Sequence, residues 1–435
     1  MNLYILKKLG FSLFFAGVFA LNSSAQIVQP AIYGDFLITG ATLYTVTQGE
    51  IEADLLVEKG RIAAIGFDLE VNEGVQIIDA TGKRVYPGFI DAGTRLGLSE
   101  IGSVSLTRDF NERGNLVPYV QALTAINPNG VPIAVTRVSG VTTVVSAPSG
   151  GLFPGTAAAI HLLGYTPDQM YAGSKAVLLN FPNKGRSGSW DRRSDEKREE
   201  EYKENMEKLG DFWKEAERYH QLKSKGKLEN QTNPPLDALQ AVFQKKYPLF
   251  IEVNRAPDIL EALKWAKDKD IRVVLTGVAE GWRVASEIAK SGFPVITGPV
   301  LQTPSRAYDR YDTPYTNPSQ MKAAGVTVAL RTNETENVRN LPFNAGYAAS
   351  YGMGIDEALR AITIVPAQIL GIEDEVGSLE VGKLANLFIS NGDPFEPRVQ
   401  IERVFIKGWD VPMESRHTQL YQQFLERSPG LQLNE

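Results

Sequence analysis

Between Asp35 and Ala80 apolar and polar positions alternate in short runs: DFLITGATLYTV, DLLVEKGRIAAIG and VQIIDA, separated by glycine-containing turns. A period of two with many β-branched residues predicts the strands of a small sheet domain. From Val85 the pattern changes. Compact apolar runs (GVTTVVSAP, KAVLLNFP, PLFIEVN, IRVVLTG, FPVITGP and GVTVALRTN) recur along the chain. Stretches of helical spacing lie between several of them, such as APDILEALKWAKDKD and WRVASEIAKSG. Buried β-branched strands joined by helices predict a parallel sheet. Their number over roughly 290 residues favours a (β/α)8 barrel, usually about 250 residues long, over an open sheet. No solenoid-type tandem repeat is visible.

Residues 186–230 interrupt this alternation. They are densely charged, with Tyr202, Met206, Leu209, Phe212 and Trp213 at helical spacing, which predicts an amphipathic helical insertion leaning on the barrel. Strand patterns return in GSLEVGKLANLFISNGDPF (377–395) and RVFIKGWDV (403–411), placed to complete the sheet domain begun near residue 35. The expected organisation is a signal peptide at 1–25 and a first β-sandwich part at 26–84. A barrel with its insertion follows at 85–376, then a second sandwich part at 377–412 and a polar tail at 413–435.

The signal peptide rests on Lys7 and Lys8, the apolar run Leu9–Leu21, and Ser23 and Ala25 before Gln26. That run has 13 residues, short of the ~20 a membrane span requires. The expectation is an exported protein, periplasmic or extracellular, with no membrane span after cleavage. Composition changes this picture little. The 435 residues are 43% hydrophobic and 22% charged, as in ordinary globular proteins, and are enough for more than one domain. The formal charge of −6 becomes −8 when Lys7 and Lys8 leave, which argues against a nucleic-acid partner. There is no cysteine, hence no disulfide and no thiolate metal site.

The order of ITGATLYT, VEKGRIAAIG, VYPGFIDA, the barrel runs and then EALRAITIVPAQILGIEDEVGSLEVGKLANLFISNGDPF resembles the amidohydrolase superfamily, in particular its imidazolonepropionase-like branch. The likeness spans essentially the whole chain after the leader, and residues 357–395 are its most specific block. It implies a (β/α)8 barrel with a small β-sandwich built from both chain ends. It also implies hydrolysis of C–N bonds, mostly in cyclic amides, with one or two divalent metals such as zinc activating water at the strand ends. The family ligands are a His-x-His pair on the first barrel strand, one histidine each on the fifth and sixth, and an aspartate on the eighth. A carboxylated lysine on the fourth often bridges two metals.

Carried onto this sequence, the resemblance lands on other residues. The His-x-His positions after PGFIDA hold Gly93 and Arg95, and an arginine is a permanent cation that repels a metal. Glu252 stands at the fifth-strand position, Gly277 at the sixth and Asn333 at the eighth; Lys175 and Lys184 both flank the fourth. The chain has three histidines, His161, His220 and His417, so a four-histidine site cannot be assembled from it. No cofactor is therefore expected. A second arrangement, a single oxygen-ligated metal on Asp91, Glu252 and Asn333, is opposed by the charge of Arg95.

The exchange of Arg95 and Glu252 into ligand positions suggests that the guanidinium replaces the metal's charge and pairs with Glu252 or Asp91, with Arg331 and Asn333 extending the network. Arg255, Glu280 and Trp282 are expected to line the same mouth. The glycine-rich SAPSGGLFPG (146–155) could cradle an anion but reads more readily as a plain loop, whereas the tyrosine-bearing RAYDRYDTPYTNP (306–318) reads equally as the lining of a ligand cleft and as a packed loop. Two functions follow. One is an exported superfamily member without metal-dependent hydrolysis, which binds a small-molecule ligand as a homodimer or as the non-catalytic partner of an active paralogue. The other is a C–N hydrolase with an altered or metal-free site that uses Glu252 as base.

Overall fold

A computed structural model describes residues 30–185, 191–228 and 232–427; the leader and cleavage site read from the sequence lie outside the described residues. Eight strands form one sheet that curls into a barrel: β1 (Phe89–Thr94), β2 (Val141–Ser146), β3 (Thr156–His161), β4 (Tyr171–Asn180), β5 (Leu249–Val253), β6 (Val273–Gly277), β7 (Val295–Thr297) and β8 (Val328–Leu330). They lie side by side in chain order.

Alternation along each strand divides two cores. Ile90, Ala92, Val145, Ala157, Ala159, Phe250, Val274, Ile296 and Ala329 fill the barrel interior. The alternate residues, such as Phe89, Val144, Ile251, Leu275 and Leu330, pack outward under the helices. The helix Ile364–Leu370 closes the strand-start end, because Arg272, just before β6, and Ser174, early in β4, donate to the carbonyls of Ile369 and Leu370. The opposite end is left as the mouth.

One strand departs from the alternating β/α reading. β3 runs antiparallel to both β2 and β4. The connections before and after it, residues 147–155 and 162–170, are shorter than the roughly dozen residues a parallel crossover needs. A meander is the only pairing such connections permit.

Strands from both ends of the chain build the second layer. A seven-stranded sheet interleaves Ile32–Tyr33, Thr42–Tyr44, Glu50–Glu52 and Arg84–Pro87 with Leu387–Ser390, Ile401–Ile406 and Trp409–Val411. A four-stranded sheet of Phe36–Thr39, Asp54–Glu58, Arg61–Gly66 and Gln76–Asp79 faces it. Phe36, Ile38, Leu55 and Val57 meet Leu43, Val85, Leu387 and Phe405 in one apolar cluster, with Phe36 and Phe405 in edge contact at 5.2 Å.

The charged insertion forms the 30-residue helix α1 (Asp195–Ser224), capped by the Ser194 side chain. Its buried stripe of Leu209, Phe212, Trp213, Ala216 and Tyr219 leans on the barrel: Phe212 meets Phe153 at 5.2 Å and Trp213 meets Trp265 at 5.0 Å. Among the described residues no helix is long and apolar enough to cross a membrane.

Candidate functional site

Three inward rows of the barrel end in polar residues two positions beyond their last apolar member. Phe250 is followed by Glu252, Val274 by Thr276 and Ala329 by Arg331. Because side chains alternate along a strand, all three aim into the mouth above the core. There Arg331 Nη2 pairs with Glu252 Oε1 at 2.8 Å, Thr276 Oγ1 donates to Glu252 Oε2 at 2.7 Å, and Asn254 Nδ2 donates to Oε1 at 3.2 Å. The Arg331 side chain is 10% exposed and that of Glu252 31%, so the pair sits at the floor of an open mouth. Burial alone would raise the Glu252 pKa. The Arg331 charge and the three donors outweigh it and hold the carboxyl below its ordinary value.

Both glycines at family ligand positions are packed against this pair. A Cβ on Gly93 would stand 2.8 Å from Arg331 Cδ, and one on Gly277 would stand 2.5 Å from Glu252 Oε1. Gly277 also adopts φ +83°, a conformation that side-chain-bearing residues seldom take.

Asp91 faces the seam between β1 and the residues after β8. Fully buried, its carboxylate accepts from Thr332 N at 3.1 and 3.2 Å, from Thr332 Oγ1 at 2.6 Å and from Gly93 N at 3.1 Å. Burial pushes its pKa up to about 7, against the pull of those donors and of Arg331. Backbone bonds continue the seam: Asn333 N donates to Gly93 O and Arg95 N to Glu334 O, each at 2.9 Å. Asn333 is exposed, with φ 54°.

The structure corrects the expected pairing of Arg95 with Glu252 or Asp91. Glu252 is taken by Arg331 and Asp91 by Thr332, and among the described residues the Arg95 guanidinium forms no ion pair. It lies 5.1 Å from the centre of the Phe110 ring instead. The reason is positional. Arg331 rises from an inward row directly under Glu252, whereas the Arg95 backbone is bound to Glu334 beyond the seam. The fourth-strand lysines also lie elsewhere. Asn180 is the residue in register with Glu252. Lys175 donates to Gln121 at 2.9 Å, and Lys184 lies over the Tyr202 ring at 4.4 Å.

Glu280, after β6, is strapped by the loop that follows β7. Arg306 Nε and Nη2 reach its two oxygens at 2.5 and 2.6 Å, and Ala256 N donates at 3.0 Å. Burial raises the pKa of Glu280, but the bonds and charge of Arg306, helped by Arg283, bring it below the ordinary value. Arg283 pairs with Asp309 and covers the Trp282 ring at 4.1 Å. Arg255 reaches Asp258 at 4.0 Å. Glu280, Trp282 and Arg255 thus belong to the rim, and the charges of Glu280 and Arg255 are engaged with neighbours rather than with the Arg331–Glu252 pair. Thr332, Thr276 and Asn254 were not anticipated, whereas Arg306 opens the 306–318 segment expected near the mouth. The signal for Thr276 was available: it follows Val274 by the strand period.

The family model described as "Amidohydrolase family" matches residues 315–410. A solved amidohydrolase from Thermotoga maritima MSB8 superposes with a TM-score of 0.75 at 26% identity, covering 87% of this chain and 99% of that one. Both likenesses are to the amidohydrolase superfamily, in agreement with the resemblance read from the sequence. Amidohydrolase tasK of Hapsidospora irregularis is 24% identical over 403 residues, 80% of this chain and 40% of the relative. The imidazolonepropionase of Symbiobacterium thermophilum is 38% identical over 90 residues, 20% of this chain and 21% of the relative. The chain thus spans less than half the length of these relatives.

The superfamily's metal does not fit the residues present. Among the described residues no group of three or more His, Asp or Glu side chains could hold an ion. The mouth offers one carboxylate already paired with a guanidinium, and the other carboxylate, Asp91, is turned into the seam. His161 is also accounted for. It is 4% exposed, and its Nδ1 lies 3.1 Å from Thr143 Oγ1 and 3.2 Å from Asn386 Nδ2. Lys407 N donates to Asn386 Oδ1 at 2.7 Å, which turns the amide nitrogen toward the ring. Nδ1 is therefore an acceptor and the proton resides on Nε2. Burial, with Lys407 nearby, lowers the pKa of His161 to about 3, so it joins barrel to sandwich as a neutral ring.

Proposed function

We propose that this is an exported amidohydrolase-superfamily protein whose barrel mouth no longer performs the metal-dependent C–N bond hydrolysis of the superfamily. It serves instead as a ligand-binding or partner subunit. One observation carries the reading: the Arg331 side chain crosses the Gly93 position and closes on Glu252 at 2.8 Å. A cation fixed to the protein thus neutralises the carboxylate that would have faced a metal. The rival reading, a C–N hydrolase with Glu252 as base, finds no support in this arrangement. A carboxyl held below its ordinary pKa by an arginine is a weak base.

Elemental analysis of the purified mature protein, before and after incubation with zinc, manganese and magnesium, tests the proposal. The expected result is no stoichiometric metal. About one metal per chain, lost in Glu252→Ala, would overturn it and restore hydrolysis as the function.

A further inference from the structure

The mouth carries more positive charge than its ion pair consumes. Arg95 is half-buried, yet among the described residues neither a carboxylate nor a carbonyl accepts from its guanidinium. Its guanidinium lies over the Phe110 ring, and its backbone is fixed through Arg95 N to Glu334 O and through Leu98 N to Arg95 O. Arg331 spends Nη2 on Glu252 and directs Nε toward Gly298 O at 3.5 Å. Its Nη1, which lies 3.6 Å from where a Gly93 Cβ would stand, donates no hydrogen bond among the described residues. Glu252 and Glu334 attract Arg95, but burial and the repulsion of Arg331 outweigh them and lower its pKa. Two guanidinium groups with unused donors thus lie within electrostatic reach of each other and of one engaged carboxylate.

We infer that the mouth is an anion site, in which Arg95, assisted by Arg331 Nη1, holds the carboxylate of a small organic acid where the superfamily holds its cation. A planar carboxylate fits because a guanidinium presents parallel N–H donors that two coplanar oxygens accept together. Glu252 repels a second negative charge on the ligand, which favours monoanions. The inference rests on the non-hydrolytic reading above and gives its ligand a chemical class.

The test uses the full mature chain with acetate, benzoate and inorganic phosphate, and with benzamide as a neutral match for benzoate. Thermal unfolding is read with each, and Arg95 modification by phenylglyoxal is read by peptide mass on the wild-type protein. Benzoate and acetate are expected to raise the melting temperature and to slow Arg95 modification, and benzamide to do neither. Arg95→Gln is expected to bind benzoate at least about tenfold more weakly, with Arg95→Lys intermediate. The inference is overturned if benzamide protects as well as benzoate, if phosphate protects better than either acid, if no carboxylate protects Arg95, or if Arg95→Gln keeps wild-type affinity. The phenylglyoxal readout needs no variant, so a misfolded Arg95→Gln leaves the test intact. Stoichiometric metal in the elemental analysis would sink the functional reading itself, whereas carboxylate failure in a metal-free protein sinks only this inference.

Discussion

The side chain of Arg331 passes over Gly93 so closely that Cδ stands 2.8 Å from where a Cβ would be. Absence of a side chain at one strand end and presence of a cation at another are therefore one arrangement. Gly93→Ala is expected to displace the arginine and destabilise the fold by about 1–3 kcal/mol, the usual cost of overpacking. Because the clash is with a single side chain, Gly93→Ala combined with Arg331→Ala should cost less than the two separate losses added. Urea unfolding of the four proteins measures this coupling.

Arg331→Ala leaves Glu252 in the mouth without its cation. Thr276 and Asn254 still donate to it, so the loss is expected near 1–3 kcal/mol rather than that of a wholly unsatisfied charge. Glu252→Gln in the Arg331→Ala background should recover part of it, read by chemical denaturation at neutral pH.

Asp91 predicts an acid-side gain in stability. Its folded pKa of about 7 lies above its ordinary value of 3.8, so the folded state holds the proton more tightly than the unfolded chain. This contribution is full below the ordinary value and is lost as pH rises through about 7. Glu252 acts with the opposite sign, since its lowered pKa makes its contribution fade on acidification below the ordinary glutamate range. Asp91→Asn should flatten the decline between about pH 4 and 7, as followed by denaturation at stepped pH.

His161 should remain neutral across the same interval. Its folded pKa near 3 lies below its ordinary value of 6.5, so its contribution is present above that value and is lost as pH falls through it. Nitrogen-15 spectra of the imidazole should report the Nε2–H tautomer with no titration between about pH 5 and 8.

The long helix α1 is held chiefly by aromatic contacts. Trp213→Ala removes its edge contact with Trp265 and a side chain that is 97% buried, and about 3–5 kcal/mol should be lost in thermal unfolding.

Much of the architecture was legible because the strand signals were local. The β-branched runs at 141–146, 249–253 and 273–277 become barrel strands, and DFLITG and DLLVEKG become paired neighbours in one sheet of the sandwich. TAAAIH was harder, since alanines carry little strand preference and only the shortness of the flanking loops betrays a reversed strand. The site was half legible. Glu252 and Arg331 were both visible as mouth residues, but which arginine would meet the glutamate depends on backbone placement across the seam, where contacts join residues 241 positions apart. The strand period could have decided it, because Ala329 and Arg331 share a face with Phe250 and Glu252 across the barrel.

The seam between Asp91 and Thr332 also orders events in time. The first barrel strand is synthesised early, yet Thr332, the source of all but one of the hydrogen bonds to its buried carboxylate, arrives 241 residues later. Until that last segment emerges the sheet stays an open arc, with an unpaired edge and an aspartate exposed to water. Shape closure and burial of that charge are then a single late event, and any chain truncated before residue 332 retains both defects permanently.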